Sequence, residues 1–340
     1  MTTATTAASV SASHLSFKNR AELWLARAVR AYCRATGRTL EPHQPQPLRC
    51  YPIGTPAAPA SPLAASEPIP RVVWTYWNSP TLPLLVERCI ANWRQMNPGF
   101  DIRVLDDAKL REWVPELPEA LARVAPARRS DWIRLRLLRD HGGIWIDAST
   151  ILTRSLDWVI EAQQREGGCD LVAYYLDRFT TDAHQPVVES WFLAAPPGSR
   201  FAADAFAEFD AHCLESTGEA YIEHLRAQGV FDQVRQAIDA PAYLSIHLAM
   251  QYVMRTRGGY RLCLACAEDG PFQLHVLGQW RRTPLKLRLL FSRVTGELPP
   301  VIKLRGPDRR RLDDYLARGL YLPGSVADRL LMNPRPDGSV

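Results

Sequence analysis

The sequence predicts an α/β domain built on a parallel sheet, preceded by a helix and a proline-rich linker. From about residue 69, short stretches rich in β-branched and aromatic residues alternate with stretches whose apolar residues recur at helical spacing. This alternation of strand and helix is typical of parallel sheets. The chain has 340 residues, 46% of them hydrophobic and 23% charged, which suits one large globular domain with appendages.

Charge and cysteine content restrict the class of protein. The net charge of +5 is a mild excess that suits an anionic substrate or an anionic lipid surface. It is too small to indicate nucleic-acid binding, and no nucleic-acid motif is present. The seven cysteines, an odd number, are typical of a protein kept reduced inside the cell. No run approaches the ~20 apolar residues of a membrane span. From the cysteine usage we expect a cytoplasmic protein, either free or peripheral to the inner face of the cell membrane.

The first part of the chain predicts a tail followed by a helix. Residues 1–16, with the small and polar stretch TTATTAASVSAS, predict a disordered tail. Residues 17–38 predict a basic amphipathic helix. Its apolar face contains Ala21, Trp24, Leu25, Ala28 and Tyr32. Two interpretations stay open: the helix lies on an anionic membrane, at the inner face of the cell membrane, or it docks on its own domain.

Residues 39–68 are rich in proline and predict an extended linker without packed elements. The domain follows at residues 69–330, and residues 331–340 form a second tail. Residues 71–76 predict a buried first strand, and LPLLVERCIANWRQM predicts a helix that the sequence Asn97-Pro98-Gly99 ends. FDIRVL then predicts a second strand, and AKLREWV another helix.

The next segment brings charged residues to a strand end. Ser130 is expected to cap a helix, and Gly142-Gly143 to end it. A short strand follows and places Asp147 at its carboxyl end, where open α/β sheets bind ligands. Asp131 and Arg134 are three residues apart and share one helix face. We therefore expect these two side chains and Asp147 to converge at one edge of the sheet.

Three stretches in this order, IPRVVWTYW, SDWIRLRLL and GGIWIDAS, resemble the capsular polysaccharide synthesis protein family. That family is related to glycosyltransferases with an Asp-x-Asp motif, such as the yeast initiating mannosyltransferases and the clostridial glucosylating toxins. The resemblance covers roughly residues 69–195 and returns more weakly at PPVIKLRG. It implies a GT-A fold, a single Rossmann-like domain that transfers sugar from a nucleotide donor.

The resemblance also implies roles for residues of the donor site. Trp74 matches a position that stacks on the donor base, and the alternative for this residue is a tryptophan of the hydrophobic core. Asp131 and Arg134 match the pair that holds the donor's sugar hydroxyls, for which a carboxylate and a guanidinium are suited. Asp147 matches the first aspartate of Asp-x-Asp, which contacts the ribose and helps to place the metal, and it is the residue expected to be catalytic.

The chain departs from the motif at its second carboxylate, which is Ser149 here. A Mn²⁺ or Mg²⁺ ion held by Asp147 and Ser149 would be bound weakly, because a neutral hydroxyl is a poorer ligand than a carboxylate. His275 is the alternative ligand. Cationic side chains could offset the leaving diphosphate instead.

Further candidates come from later segments. Trp280 in GQWRRTP and Lys303 in VIKLRG are expected to contact the donor's diphosphate, and Glu189 and Trp191 to contact the acceptor. His247 is expected to be a structural histidine on an apolar helix.

We therefore expect a glycosyltransferase that acts in capsular or other surface polysaccharide synthesis. The donor would be a nucleotide sugar, expected to be a UDP-sugar. The acceptor would be a saccharide, free or lipid-linked. The alternative is a non-catalytic nucleotide-sugar-binding or scaffold protein, which the loss of the second carboxylate favours.

Overall fold

The computed structural model describes residues 17–54, 67–165 and 168–333 of the chain. The tail predicted at residues 1–16 lies outside the described residues, as do residues 55–66 of the predicted linker and residues 334–340 of the second tail. No helix in the described part of the chain is long and apolar enough to span a bilayer.

Nine strands are present in the described residues. They are β1 (Arg49–Ile53), β2 (Val72–Tyr76), β3 (Asp101–Leu105), β4 (Gly143–Ile146), β5 (Thr150–Leu152), β6 (Leu171–Leu176), β7 (Val187–Ala195), β8 (Tyr260–Cys266) and β9 (Val301–Lys303). Seven of them form one sheet in the order β1-β8-β6-β7-β4-β2-β3, and β5 pairs with β9 in a small second sheet.

The large sheet is mixed, so the prediction of a parallel sheet was too simple. Strand β2 is parallel to β3 and β4, and β6 is parallel to β8. The pairs β4–β7, β6–β7 and β1–β8 are antiparallel. The connection from β6 to β7 spans only residues 177–186, which is too short for a crossover helix, so the chain returns antiparallel.

Thirteen α-helices accompany these strands in the described residues. They are α1 (Phe17–Ala35), α2 (Leu84–Met96), α3 (Leu110–Trp113), α4 (Pro126–His141), α5 (Asp157–Arg165), α6 (Arg200–His212), α7 (Gly218–Ala227), α8 (Phe231–Arg235), α9 (Ser245–Thr256), α10 (Gln273–Leu277), α11 (Arg282–Phe291), α12 (Gly306–Arg309) and α13 (Leu312–Ala317). A π-helical turn, Ala327–Met332, reaches into the predicted second tail.

Helix α4 starts earlier than the sequence predicted. Its first residue is Pro126 and its N-cap position is Ala125, so Ser130 lies inside the helix and is not its cap. A proline is well suited to the first turn because its fixed φ is helical and its missing N–H would have had no partner there. The predicted end of the helix at Gly142 is confirmed, with φ at 64°.

The predicted linker contains a packed element. Strand β1 pairs antiparallel with β8 at the edge of the large sheet, and Ile53 is fully buried. Pro52 is compatible with this position because an edge strand leaves one side of its backbone unpaired. The prediction that residues 39–68 hold no packed element was therefore wrong for residues 49–53.

Helix α1 docks on the domain. Leu23, Ala26 and Cys33 on one side of the helix are buried. The Glu22 carboxylate accepts a hydrogen bond of 2.7 Å from the Arg311 guanidinium, next to α13. Of the two interpretations that the sequence left open, docking describes this face of the helix.

Candidate active site

The ends of four strands meet at one edge of the sheet. Because β4, β2 and β3 are parallel neighbours, their carboxyl ends lie on the same side. The antiparallel β7 brings its amino-terminal half to that side, and the Asp147 N–H donates to the Trp191 carbonyl at 3.0 Å. The edge therefore presents residues that are distant in sequence to one volume, as expected for a ligand site in an α/β sheet.

Two glycines make the sharp turn from α4 into β4. Gly142 and Gly143 have φ angles of 64° and 98°, which side chains rarely adopt. A Cβ at Gly143 would lie 2.8 Å from the Trp74 ring nitrogen, and one at Gly142 would lie 2.8 Å from the Pro197 nitrogen. This turn packs α4 against the sheet and so fixes Arg134 beside the end of β4.

Asp147 lies between cationic groups. Its Oδ2 accepts a hydrogen bond of 2.6 Å from the Lys303 ammonium. Its Oδ1 accepts bonds of 3.2 Å from the Arg134 guanidinium and from the Trp145 indole. Burial raises the pKa of Asp147, but the two cations outweigh it and lower that pKa to about 2. The side chain remains 30% exposed, so a ligand can reach an ionised carboxylate.

Arg134 links this aspartate to its neighbours. Its Nη1 lies 3.2 Å from Asp131 Oδ1 and donates to the Ser190 hydroxyl at 2.7 Å. Its Nη2 donates to the Ser130 hydroxyl at 3.2 Å, which is what this serine does inside the helix. Burial raises the pKa of Asp131 to about 6, although the Arg134 charge opposes that shift.

Lys303 reaches the site through the small sheet. Thr150 lies three residues after Asp147 and stands opposite Lys303 in the β5–β9 pair. Strand pairing therefore brings Lys303 close to Asp147. Its side chain is 7% exposed and lies over the Trp191 ring, with 5.3 Å from Nζ to the ring centroid. Burial lowers the pKa of Lys303, and Asp147 opposes this shift. We call Asp131, Arg134, Asp147 and Lys303 the charged cluster.

Ser149 does not join the charged cluster. It is buried, and its hydroxyl donates to the Leu304 carbonyl at 3.0 Å. Both oxygens of Asp147 already contact cations or an indole N–H. Asp147 and Ser149 therefore do not fit a divalent-cation site in this structure, because such an ion needs several free oxygen ligands.

His275 offers no alternative ligand beside Asp147. It is fully buried, and its Nε2 lies 2.8 Å from Asp308 Oδ2. Another group in the described residues has the side-chain types of a metal site, namely Glu208, His212 and His224, whose ligand atoms lie within 4.8 Å of one another. It lies on α6 and α7, which do not carry the charged cluster.

Trp74 is not available for stacking on a base in this structure. The side chain is 1% exposed, and its indole N–H donates to the Gly142 carbonyl at 2.8 Å. The ring packs edge-on against Trp113, with 5.2 Å between ring centroids. It therefore holds the Gly142-Gly143 turn in place from the core.

Glu189 and Trp191 lie at the same edge on β7. Glu189 is buried, and its Oε2 lies 3.1 Å from His247 Nε2 on α9. The Nδ1 of His247 and the indole nitrogen of Trp191 are buried and have no hydrogen-bond partner among the described residues. Unpaired buried polar atoms are costly, so they favour a ligand that supplies the missing partners.

Trp280 is connected to this edge through other rings. Ring centroids lie 5.9 Å apart for Trp191 and Phe272, and 5.4 Å apart for Phe272 and Trp280. Trp280 has a positive φ of 58°, and the Arg178 and Arg305 guanidiniums lie 4.7 and 5.1 Å from its ring centroid. A non-glycine residue in this conformation often marks a functional segment.

A pocket of about 310 Å³ lies beside the ends of β2 and β3. Its lining includes Ser79, Leu82, Glu87, Leu105, Asp106 and Lys109. Strands β2, β3 and β4 are parallel, so the pocket lies at the same end of the sheet as Asp147. Strand β3 is two strands from β4, which corresponds to a separation of roughly 10 Å.

Sequence reasoning missed three residues of the site. Trp145 lies two residues before Asp147, and the alternation of a strand could have placed both on one face. The sequence around Ser190 and His247 does not indicate their contacts. Ser190 meets Arg134 because β7 pairs with β4, and His247 meets Glu189 because α9 packs against β7.

A family model described as capsular polysaccharide synthesis protein matches residues 61–278, which is more than half of the chain. Among curated proteins, the glycosyltransferase afumC of Aspergillus fumigatus is 32% identical over 26% of this chain and 26% of its own length. The O-glycosyltransferase PaGT of Phomopsis amygdali is 29% identical over 28% of each chain. The chain thus spans about a quarter of the length of these curated relatives.

Solved structures resemble the chain more distantly. The PaToxG glycosyltransferase has 11% sequence identity and a TM-score of 0.32, and the match covers 86% of this chain and 92% of that one. The galactosyltransferase LgtC, solved with donor and acceptor sugar analogues, has 12% identity and a TM-score of 0.36, with coverage of 69% and 87%. Scores this low carry no argument, so the family match is the finding that identifies the chain.

Proposed function

Since the chain belongs to the capsular polysaccharide synthesis protein family, we propose that it is a glycosyltransferase with a GT-A fold. It transfers a sugar from a nucleotide-sugar donor, expected to be a UDP-sugar, to a saccharide or lipid-linked saccharide acceptor in capsular or other surface polysaccharide synthesis. The observation that carries the proposal is the contact of 2.6 Å between Lys303 and Asp147, beside Arg134, at the carboxyl edge of the sheet.

A nucleotide sugar has features that the charged cluster can bind. Its hydroxyls donate hydrogen bonds, and ionised Asp147 accepts them; this carboxylate is 30% exposed. Its diphosphate is anionic, and Lys303 and Arg134 supply positive charge from a nearly dry position, where electrostatic attraction is stronger than in water. In our proposal the nucleoside lies in the pocket beside β2 and β3, on the same edge.

The transfer step that we propose breaks the bond between the donor's anomeric carbon and the diphosphate oxygen and forms a bond from that carbon to an acceptor hydroxyl oxygen, whose proton passes to the departing diphosphate. Negative charge then grows on the departing diphosphate, and Lys303 turns from Asp147 to that oxygen. Fixed cations aimed at developing charge are an effective source of transition-state stabilisation. Because Asp147 and Ser149 do not fit a divalent cation, no step of this mechanism uses one.

The acceptor side of the site is formed by β7 in our proposal. Glu189, held by His247 at 3.1 Å, accepts a hydrogen bond from the acceptor sugar, and the buried Trp191 indole N–H donates one. Trp280 borders the site through Phe272 and contacts the leaving group. We place the reaction at the cytoplasmic side of the cell membrane, which the odd number of cysteines favours.

The competing function is a non-catalytic nucleotide-sugar-binding or scaffold protein of a polysaccharide assembly complex. It is favoured by Ser149, which replaces the second carboxylate of the motif and bonds to Leu304. Such a protein would bind the donor at the charged cluster but would release it unchanged.

Purified full-length protein tests the two functions. A panel of nucleotide sugars is first tested for a rise in melting temperature, because a ligand that binds only the folded state stabilises it. The donor that binds is then followed for transfer to saccharide acceptors and for hydrolysis. Transfer or hydrolysis that disappears in Lys303→Ala supports the enzyme. Binding without turnover supports the scaffold, and no binding by any nucleotide sugar contradicts both.

A further inference from the structure

Helix α1 is apolar on two opposite sides. Leu23, Ala26 and Cys33 are buried against the domain. Trp24 and Tyr32, by contrast, are 68% and 69% exposed. At 100° per residue the two sets lie on opposite sides of the helix. A helix that only docks on its own domain would have a polar outer face, so the outer face of α1 needs another explanation.

The exposed apolar residues are concentrated on this helix. Among the described residues, five large hydrophobic side chains are exposed, and Trp24, Leu25 and Tyr32 are three of them. The small residues Ala21 and Ala28 are exposed on the same side of the helix. Single exposed hydrophobic residues are ordinary on protein surfaces, but a continuous stripe along one helix marks a contact surface.

The charge of this outer face is positive. Arg27 and Arg34 are exposed along one border of the stripe. Glu22 is the only acidic residue of α1, and its carboxylate is turned to the domain, 2.7 Å from Arg311 Nη1 and 3.7 Å from Lys286 Nζ. Docking therefore removes the negative charge from the outer face and leaves the two arginines without an acidic neighbour on their own helix.

We infer that the outer face of α1 binds an anionic lipid membrane. Tryptophan and tyrosine favour the level of the headgroups, where an apolar ring and a polar tip are both satisfied, and Leu25 can enter the acyl region. The positive charges of Arg27 and Arg34 attract anionic headgroups. A basic residue near such a surface strengthens binding by about fivefold, as converted from roughly 1 kcal/mol. With three bulky side chains in contact, the binding is reversible.

The contacts of the docked face connect the outer face of α1 rigidly to the domain. The Arg30 guanidinium donates to the Gly319 carbonyl at 2.6 Å, and Glu22 contacts Arg311, so α1 is held to the segments around α13 at two points. A membrane bound to the outer face would therefore orient the domain, not merely tether it. This inference deepens the membrane location in the proposed function and does not depend on the transfer reaction.

The experiment uses full-length protein and vesicles of phosphatidylcholine with or without 30 mol% phosphatidylglycerol, separated by sedimentation. We expect the protein to sediment with the anionic vesicles and to be released by about 0.5 M salt, because salt screens exposed charges. The triple variant Trp24→Ser, Leu25→Ser, Tyr32→Ser should lose at least tenfold in the fraction bound. Tyr243→Ser removes an equally exposed ring, 72% exposed, from another part of the chain and should leave binding unchanged.

Melting temperature and donor binding of the triple variant check that it is folded. Equal sedimentation of the triple variant and the native protein would overturn the inference. So would a native protein that binds no anionic vesicle. If the native protein is instead a dimer by light scattering and the triple variant a monomer, a second copy covers the stripe.

Discussion

The Lys303 ammonium lies 2.6 Å from the Asp147 carboxylate, although 156 residues separate the two in the chain. Antiparallel pairing of β5 with β9 creates this contact, because Thr150 stands opposite Lys303. The contact explains why a carboxylate at a strand end can remain ionised in a largely buried place. It also places a buried cation beside Asp147, so in the proposed mechanism the charge that offsets a diphosphate belongs to the protein itself.

Replacing Lys303 with alanine should slow sugar transfer, because it removes the positive charge beside Asp147. We expect Lys303→Ala to lower the rate of sugar transfer by about 100-fold or more, comparable with the loss of one group that stabilises transition-state charge. Lys303→Arg, which keeps the charge, should restore part of the rate. Arg226→Ala is the control, because Arg226 is 56% exposed and pairs with Glu223 on the surface of α7, away from the charged cluster and the pocket. Full activity of Lys303→Ala would contradict this role.

Asp147→Asn should keep the fold and lose transfer. The amide has the shape of the carboxylate but not its charge, so Lys303 and Arg134 lose their shared partner and the donor loses a strong acceptor. Initial rates and donor affinity, measured beside Asp239→Asn, check this. Asp239 is 61% exposed and pairs with Arg178, so its replacement should be silent. Unchanged transfer by Asp147→Asn would remove Asp147 from the mechanism.

Asp131 should make stability depend on pH in a particular direction. Its pKa in the fold is about 6, above the ordinary value of 3.8. The protonated form is therefore favoured by folding, and the stability that it contributes below about pH 4 is lost as pH rises through 6. The side chain of Asp131→Asn does not titrate. The melting temperature of this variant minus that of the native protein should therefore increase as pH is raised from 5 to 8.

The control for this pH profile is Asp140→Asn. The neighbouring Arg139 and Arg136 outweigh the effect of burial and lower the pKa of Asp140, so its titration is complete below pH 5. The difference between this variant and the native protein should stay flat from pH 5 to pH 8. A flat difference for Asp131→Asn as well would mean that its pKa is not raised.

The Gly142-Gly143 turn should not tolerate side chains, because its φ angles are positive and because neighbouring atoms leave no room for a Cβ. Gly143→Ala places a methyl group 2.8 Å from the Trp74 ring nitrogen and 2.9 Å from the Val72 carbonyl oxygen, at a φ of 98°. We expect a loss of at least about 2 kcal/mol in unfolding free energy. Gly198→Ala has a φ of 71° but meets no atom within 4 Å, so it should lose only about 1 kcal/mol. Denaturant unfolding measures both, and equal losses would mean that the contact with Trp74 and Val72 has no cost.

Local patterns determined a definable part of this protein. The spacing of Asp131 and Arg134 placed both on one face of a helix, and their side chains lie 3.2 Å apart in the structure. The glycine pair ended α4 where expected, and the strand after it placed Asp147 at its carboxyl end. Each of these depends on residues within one turn or one strand, where backbone geometry fixes the relation between neighbours.

The tertiary structure decided which distant residues share the site. Lys303, Glu189 and His247 come together through strand pairing and helix packing, and nothing in their own segments specifies those partners. Ser149 turned to Leu304, and Trp74 to Gly142, because buried polar atoms take the hydrogen-bond partners that the fold brings near. The amphipathic pattern of α1 likewise predicted an apolar face at Trp24 and Tyr32. Packing against the domain selected the opposite face, with Leu23 and Ala26, because contact surfaces are chosen by shape across the whole chain and not by periodicity alone.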